Sequence, residues 1–222
     1  FATNLRPTDQ NFNGPAGNNF DNTKDQFSPK FGIGWTILDG DHPVELFANA
    51  ARGLKSPYVF GNYNGISNAD ISSVLSYEVG IRGGNKKANW RVSGWRTKQD
   101  SETILDGVGR PISSQETTRD GFDLEGRVML TENIGMNANF SKVFAEIDNE
   151  PVNNHILSVP EWTAGFGFDG TFTTQIGAGE WSVYDTIIGP QPLFADNRQQ
   201  THTYHRVVGR VAFSPAVLKN FK

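Results

Sequence analysis

Residues 30–37 alternate strictly: Phe31, Ile33, Trp35 and Ile37 are large and apolar, while Lys30, Gly32, Gly34 and Thr36 are small or polar. A period of two sends successive side chains to opposite faces of an extended chain, so the segment reads as a β-strand with one apolar side. Asp39-Gly40-Asp41-His42 follows with turn chemistry, since Gly tolerates positive φ and Asp bonds its own backbone. Val44, Leu46, Ala48 and Ala50 then carry the apolar face onward, and Glu45, Asn49 and Phe47 share the other. The result is a hairpin with a greasy side and a wet side. A soluble sandwich turns such a greasy side to a core; a membrane barrel turns it to lipid.

The unit recurs. Leu75, Tyr77, Val79 and Ile81 alternate with Ser76, Glu78, Gly80 and Arg82; after the short turn 83–87, Trp90 and Val92 alternate with Arg91 and Ser93. Phe122, Leu124, Val128 and Leu130 alternate with Asp123, Glu125 and Arg127, and a turn at 131–133 leads to Ile134, Met136, Ala138 and Phe140. After Lys142 the apolar set changes parity to Val143, Ala145 and Ile147, which reads as a β-bulge. Trp162, Ala164, Phe166 and Phe168 form a further stripe, 180–188 a weak one, and Val207, Gly209, Val211 and Phe213 the last. Segments 1–26, 53–72, 101–116, 148–157 and 189–203 lack periodicity and read as loops, and 172–179 reads as an extended link.

Hairpins thus start near 27, 73, 115, 158 and 204, and their connections alternate short and long. An up-and-down barrel with tight turns at one rim and long loops at the other has this pattern, and a Greek-key sandwich does not keep it. A propeller packs four short strands into each repeat, whereas two strands of about ten residues stand here. That length suits a tilted strand crossing ~30 Å of hydrocarbon.

Composition agrees. The 222 residues include 24 Gly and 12 % aromatics, as suits a β protein with many turns. With no Cys, disulfide frameworks and thiolate metal sites are excluded. A net charge of −4 does not suggest a nucleic-acid partner. No run approaches the ~18 apolar residues of a membrane helix, which leaves a barrel open because its wall alternates. The start, FATNLRPTDQ, lacks the basic and apolar regions of a signal peptide. Phe31, Trp35, Trp90, Trp162, Trp181 and Phe213 sit near strand ends, where amphipathic rings settle at a lipid–water boundary. Lys30, Glu78, Arg82, Arg91, Asp123, Glu125, Arg127, Arg206 and Arg210 fall on the opposite face, which no dry core accepts but a wet lumen does. The expected fold is all-β: an antiparallel up-and-down transmembrane β-barrel segment.

The phrases FSPKFGIGW, LFANAARGLKSP, SYEVGIRG, GFDLEG, VPEWTAGFGFDGTF and RVVGRVAFSPAVLKNF, in this order over residues 27–221, resemble the C-terminal part of a TonB-dependent outer-membrane receptor barrel. Phe47–Pro57 is similar to the family phrase that ends a strand and opens an extracellular loop, and Tyr77–Arg82 to its Tyr-Glu-x-Gly-x-Lys companion. The resemblance implies a barrel of about 22 strands plugged by an N-terminal domain. It implies import of scarce bulky ligands, most often ferric siderophores, with energy drawn through an N-terminal TonB box. About nine strands and the start of a tenth are expected within 1–222, without plug, TonB box or final strands; an open sheet edge in lipid is costly, so a fragment of a longer receptor is expected. The implied setting is the cell outer membrane, with lipid, a ferric siderophore or other bulky nutrient, and the TonB complex as partners. A passive porin-like channel and a soluble carbohydrate-binding β protein are the alternatives.

No nucleophile elbow, Walker loop or dinucleotide fingerprint is present, so neither catalysis nor a cofactor is expected. His202 and His205 fall on opposite faces of a strand and show no third metal ligand; Asp148-Asn149-Glu150 reads as solvated loop charge. Aromatic and cationic loop residues suit flat anionic chelates through stacking and charge. The candidate ligand contacts are Tyr58, Phe60, Tyr63, Arg110, Phe194, Arg198, His202 and Tyr204, all in the long loops or at their ends.

Overall fold

A computed structural model describes residues 27–55, 72–105, 111–150, 154–194 and 196–216. Among them nine strands form one sheet: β1 (Lys30–Leu38), β2 (Val44–Lys55), β3 (Ser72–Gly84), β4 (Ala88–Leu105), β5 (Pro111–Met129), β6 (Ile134–Ile147), β7 (Trp162–Thr174), β8 (Gly177–Ile188) and β9 (Tyr204–Pro215). They pair in chain order, each antiparallel to the next, as an up-and-down wall. The tight turns share one rim and are tied together. Asn85 accepts from the backbone N–H groups of Lys87 and Ala88 at 2.8 and 3.0 Å, and its amide donates to the Asp41 carbonyl in the neighbouring turn at 3.2 Å. Gly40 and Gly84 both take φ near 110°, which a side chain would strain.

The register confirms the alternation strand by strand. Phe31, Ile33 and Trp35 face the same side as Ala50, Ala48 and Leu46, and these as Tyr77, Val79 and Ile81. The apolar side stands clear of other atoms: Phe31 is 79 % exposed, Val79 62 % and Val211 73 %. The opposite side is crowded, with Phe47 at 8 % and Ser93 at 2 %. A wall with its polar face packed and its apolar face bare reverses the usual order of a water-soluble sheet.

The apolar band runs obliquely to the hydrogen-bonded rows. The row through Trp35 passes Leu46, Ile81, Val92, Leu124, Phe140, Ala164 and Ile187 and reaches β9 at His205. The lowest aromatic of β9, Phe213, lies well beyond His205 and stacks on Phe172 with ring centres 6.3 Å apart. A drift of about 27 Å along the strands over about 38 Å across them means a tilt of ~35°, as in a closed barrel.

Above Arg96 and Asp120 the outer face changes character. The outer face becomes charged: Arg96 grips Asp120 through two hydrogen bonds of 2.6 and 2.8 Å, Lys98 lies 3.9 Å from both Glu116 and Asp148, and Thr118 donates to Asp148 at 2.9 Å. The inner side carries a small apolar cluster there, with Ile104, Ile147 and Ile156 buried against Ala145 and Val159. This corrects the expected bulge after Lys142. Pairing of β5 with β6 is one-for-one from Thr117↔Ile147 to Met129↔Gly135; the apolar residues change parity because the dry side changes. The register shifts lie instead in β1, between Thr36 and Leu38, and in β4, between Gln99 and Glu102 and between Ile104 and Leu105.

Two other expectations are corrected. Segment 101–116 is mostly strand, because β4 and β5 extend past the apolar band as a paired arm with polar residues on both faces, which leaves no alternation to read. The link expected over 172–179 shrinks to Gln175-Ile176, since Phe172↔Gly179 and Thr174↔Gly177 still pair.

Candidate functional site

The inner face of the band is a ladder of charged and amide side chains. Arg82 donates to Glu45 at 2.8 Å, Arg91 pairs with Glu78, and Asn49 donates to Glu78 at 3.2 Å. Phe47 lies beneath both guanidiniums, 5.5 Å from Arg82 and 5.0 Å from Arg91. Farther along, Arg127 holds Asp169 through two bonds of 2.6 Å, and Arg210 donates to Glu180 at 3.1 Å. All the residues expected inward, from Lys30 to Arg210, share this face by register. Asp123 and Glu125 carry no ion pair among the described residues. Near the tight-turn rim, Glu45, Arg82, Asn89, Arg91 and Glu125 line a recess of about 390 Å³.

Beyond the band the same face carries a hub that sequence reasoning missed. Glu102, 12 % exposed, accepts from Thr117 at 2.6 Å, from Arg119 at 2.9 and 2.8 Å, and from Lys55 at 3.1 Å. One carboxylate thus ties β2, β4 and β5 together beside Gln99 and the fully buried Thr117. Burial pushes the Glu102 carboxyl up, but the Thr117 hydroxyl and the Arg119 guanidinium outweigh it and hold the carboxyl below its ordinary value. Its position falls in a stretch without period, next to the register shift, so no sequence spacing marks it.

The long connections over β6–β9 interlock. The Val143 N–H donates to the Glu161 carbonyl at 2.9 Å, that of Glu161 to Pro190 at 3.0 Å, and that of Ser158 to Pro192 at 3.1 Å. Lys142 pairs with Glu161 at 3.3 Å, and Gln200 reaches the same carboxylate at 3.3 Å. On this footing Phe194 and Arg198 come together, the guanidinium 4.1 Å from the ring centre, with Asp196 at 3.6 Å. Tyr204 opens β9 on the inner face, opposite Ile188, and His202 precedes it, exposed. Tyr58, Phe60, Tyr63 and Arg110 lie outside the described residues. The structure therefore brings together Phe194 and Arg198 of the expected contacts and places Tyr204 on the inner face of β9. His205 instead sits on the apolar face, bonded to Asp185 at 2.9 Å, which explains the weak alternation of β8. Asp148 and Glu150 are engaged with Thr118 and Gln115.

A bare apolar outer band, a charged inner face, ~35° tilt and tight turns confined to one rim define a segment of a transmembrane β-barrel wall. The chain belongs to the family described as TonB dependent receptor-like, beta-barrel, whose model matches residues 3–216. Solved structures share the fold. The ferric yersiniabactin uptake receptor FyuA from Yersinia pestis is 18 % identical with a TM-score of 0.64, the match covering 87 % of this chain and 30 % of that one. The ferric-catecholate import receptor Fiu from E. coli K12 is 14 % identical with a TM-score of 0.62, covering 96 % and 33 %. The copper transporter OprC is 14 % identical with a TM-score of 0.59, covering 86 % and 32 %. The chain thus spans about a third of the length of these proteins. No curated protein matches it in sequence.

Proposed function

We propose that residues 1–222 are part of the wall of an outer-membrane receptor that takes up a scarce bulky nutrient, most simply a ferric siderophore. The cargo binds at the extracellular loops and passes inward without covalent chemistry, on energy that TonB supplies through an N-terminal region. The observation that carries this reading is the two-faced wall: a bare apolar band for lipid backed by a charged inner face for a wet, occupied lumen. Tight turns then mark the periplasmic rim and the interlocked connections the extracellular one. Phe194 and Arg198 present a ring and a cation on a hydrogen-bonded footing, suited to a flat anionic chelate. Tyr58, Phe60, Tyr63, Arg110, His202 and Tyr204 complete the proposed contact set.

Cargo does not follow from fold, since the structures of similar TM-score include receptors for iron chelates and a copper transporter. The test is uptake of ⁵⁵Fe-loaded chelates from the organism's own spent medium, under iron limitation, with the full gene deleted and restored. Deletion is expected to cut uptake by about tenfold or more, and F194A and R198A to weaken it in the restored strain. Unchanged uptake after deletion would falsify the siderophore assignment. Energy-independent uptake would favour a passive channel.

A further inference from the structure

The connection between β8 and β9 folds into a short ladder. The Leu193 N–H donates to the Gln199 carbonyl at 3.0 Å and that of Thr201 to Gln191 at 3.0 Å, with Pro192 bridged to Gln200 between them. A turn closes the tip: the Asn197 N–H donates to the Phe194 carbonyl at 2.9 Å, and Asn197 takes φ 56°. Phe194 and Arg198 meet across that turn. Among the described residues, two backbone bonds seat the ladder on the segment before β7. The Glu161 N–H donates to Pro190 at the foot, and that of Ser158 to Pro192, two residues short of Phe194. A single anchor leaves a pivot; the second fixes the direction in which the tip points.

The two anchors are held differently. Glu161 adjoins β7, and its carbonyl accepts from Val143 on β6, so the sheet itself fixes it. Ser158 stands farther out, beyond Pro160, at φ 59°. Packing is what pins it. Ile156 is 8 % exposed in a connection made largely of Asp, Asn, Glu and Pro. It clusters with Ile104 on the β4–β5 arm and Ile147 at the end of β6, and Val159 packs on the same cluster from the far side of Ser158 in the chain. We infer that Ile104 and Ile156 are positioning residues for the Phe194–Arg198 pair. The arm supports 156–159, Ser158 passes that support to Pro192, and the tip is set before cargo arrives. Such preorganisation spares binding the cost of ordering a long connection. The inference rests on the reading of Phe194 and Arg198 as cargo contacts. Both isoleucines are buried and act only through that pair.

The test uses the full-length receptor in lipid, freed of other cysteines and carrying pairs of spin labels. One pair, at Tyr77 and Gln199, spans wall and ladder; the other, at Tyr77 and Val207, lies on the wall alone, and all three side chains are exposed. I104A and I156A are each expected to about double the width of the wall-to-ladder distance distribution and to leave the wall-to-wall one unchanged. I156V keeps the contact and is expected to keep the parent width. Parent-like widths in both alanine variants, or equal broadening of the two label pairs, would overturn the proposal. Should I156A miss the folded, heat-modifiable form, I104A decides on the same widths. Uptake of the ⁵⁵Fe-loaded chelates gives a second readout. I156A is expected to raise the half-saturating concentration about tenfold at an unchanged maximal rate. In the F194A/R198A background it should add less than about twofold, because residues that act through one pair are not additive. The full effect in that background would overturn the inference. The distances need no cargo, so they stand apart from the transport reading.

Discussion

Val79→Arg is expected to destabilise the inserted wall by about 2–4 kcal/mol, the cost of a cation near the middle of a barrel's lipid face. Val79 is 62 % exposed on the apolar side, and its register partners, Ala48 and Gly94, offer nothing to bind a guanidinium. The control is Thr36→Arg, on the inner face directly opposite Glu45, where the new cation meets a carboxylate and the change is expected to stay within about 1 kcal/mol. The measurement is the fraction of full-length protein reaching the heat-modifiable form in lipid across a urea series. Equal losses for the two variants would mean that the bare apolar face does not meet lipid.

The second large effect is expected at Glu102. Removing its carboxylate in E102A leaves the largely buried Arg119 and the buried Thr117 hydroxyl without their acceptor, and the exposed Lys55 without its partner, a loss of about 3 kcal/mol. Amide exchange in the upper part of β4 and β5 should quicken about a hundredfold, at ~1.4 kcal/mol per decade, while the band residues Ala88–Gly94 keep their protection. Acid should mimic the change. A carboxyl held below its ordinary value stabilises the fold above that value, 4.5, and loses its contribution as pH falls through the lower value of the folded state. Protection of the arm, corrected for intrinsic rates, should therefore drop between about pH 4.5 and more acidic conditions in the parent. E102Q should flatten that dependence. A parent whose arm exchanges alike at both ends of this range would rule the hub out as the main clamp.

The part of the wall inside the apolar band was legible from residue order. Phe31, Ile33 and Trp35 against Gly32, Gly34 and Thr36 specify two faces because a strand has only two, and each tight turn carries the residues its backbone needs. The inward charges could be named for the same reason. Legibility ended where the environment changed along a strand. Val143, Ala145 and Ile147 look like a register error only if the dry side is assumed constant; once β6 leaves the band, the inner face is the one that packs. Glu102 was hidden likewise, since its partners lie on β2 and β5 and no local period connects them.

Sequence alone determined the strand faces, the alternation of tight and long connections, and the family, because all three are written in short-range order. Tertiary structure decided the ~35° tilt of the wall, the charged outer face above Arg96 and Asp120, the Glu102 hub, the meeting of Phe194 with Arg198 and the flat seating of Tyr184 across β7. Those features depend on which residues of separate strands arrive side by side, and register across eight strand pairs is a property of the assembled sheet.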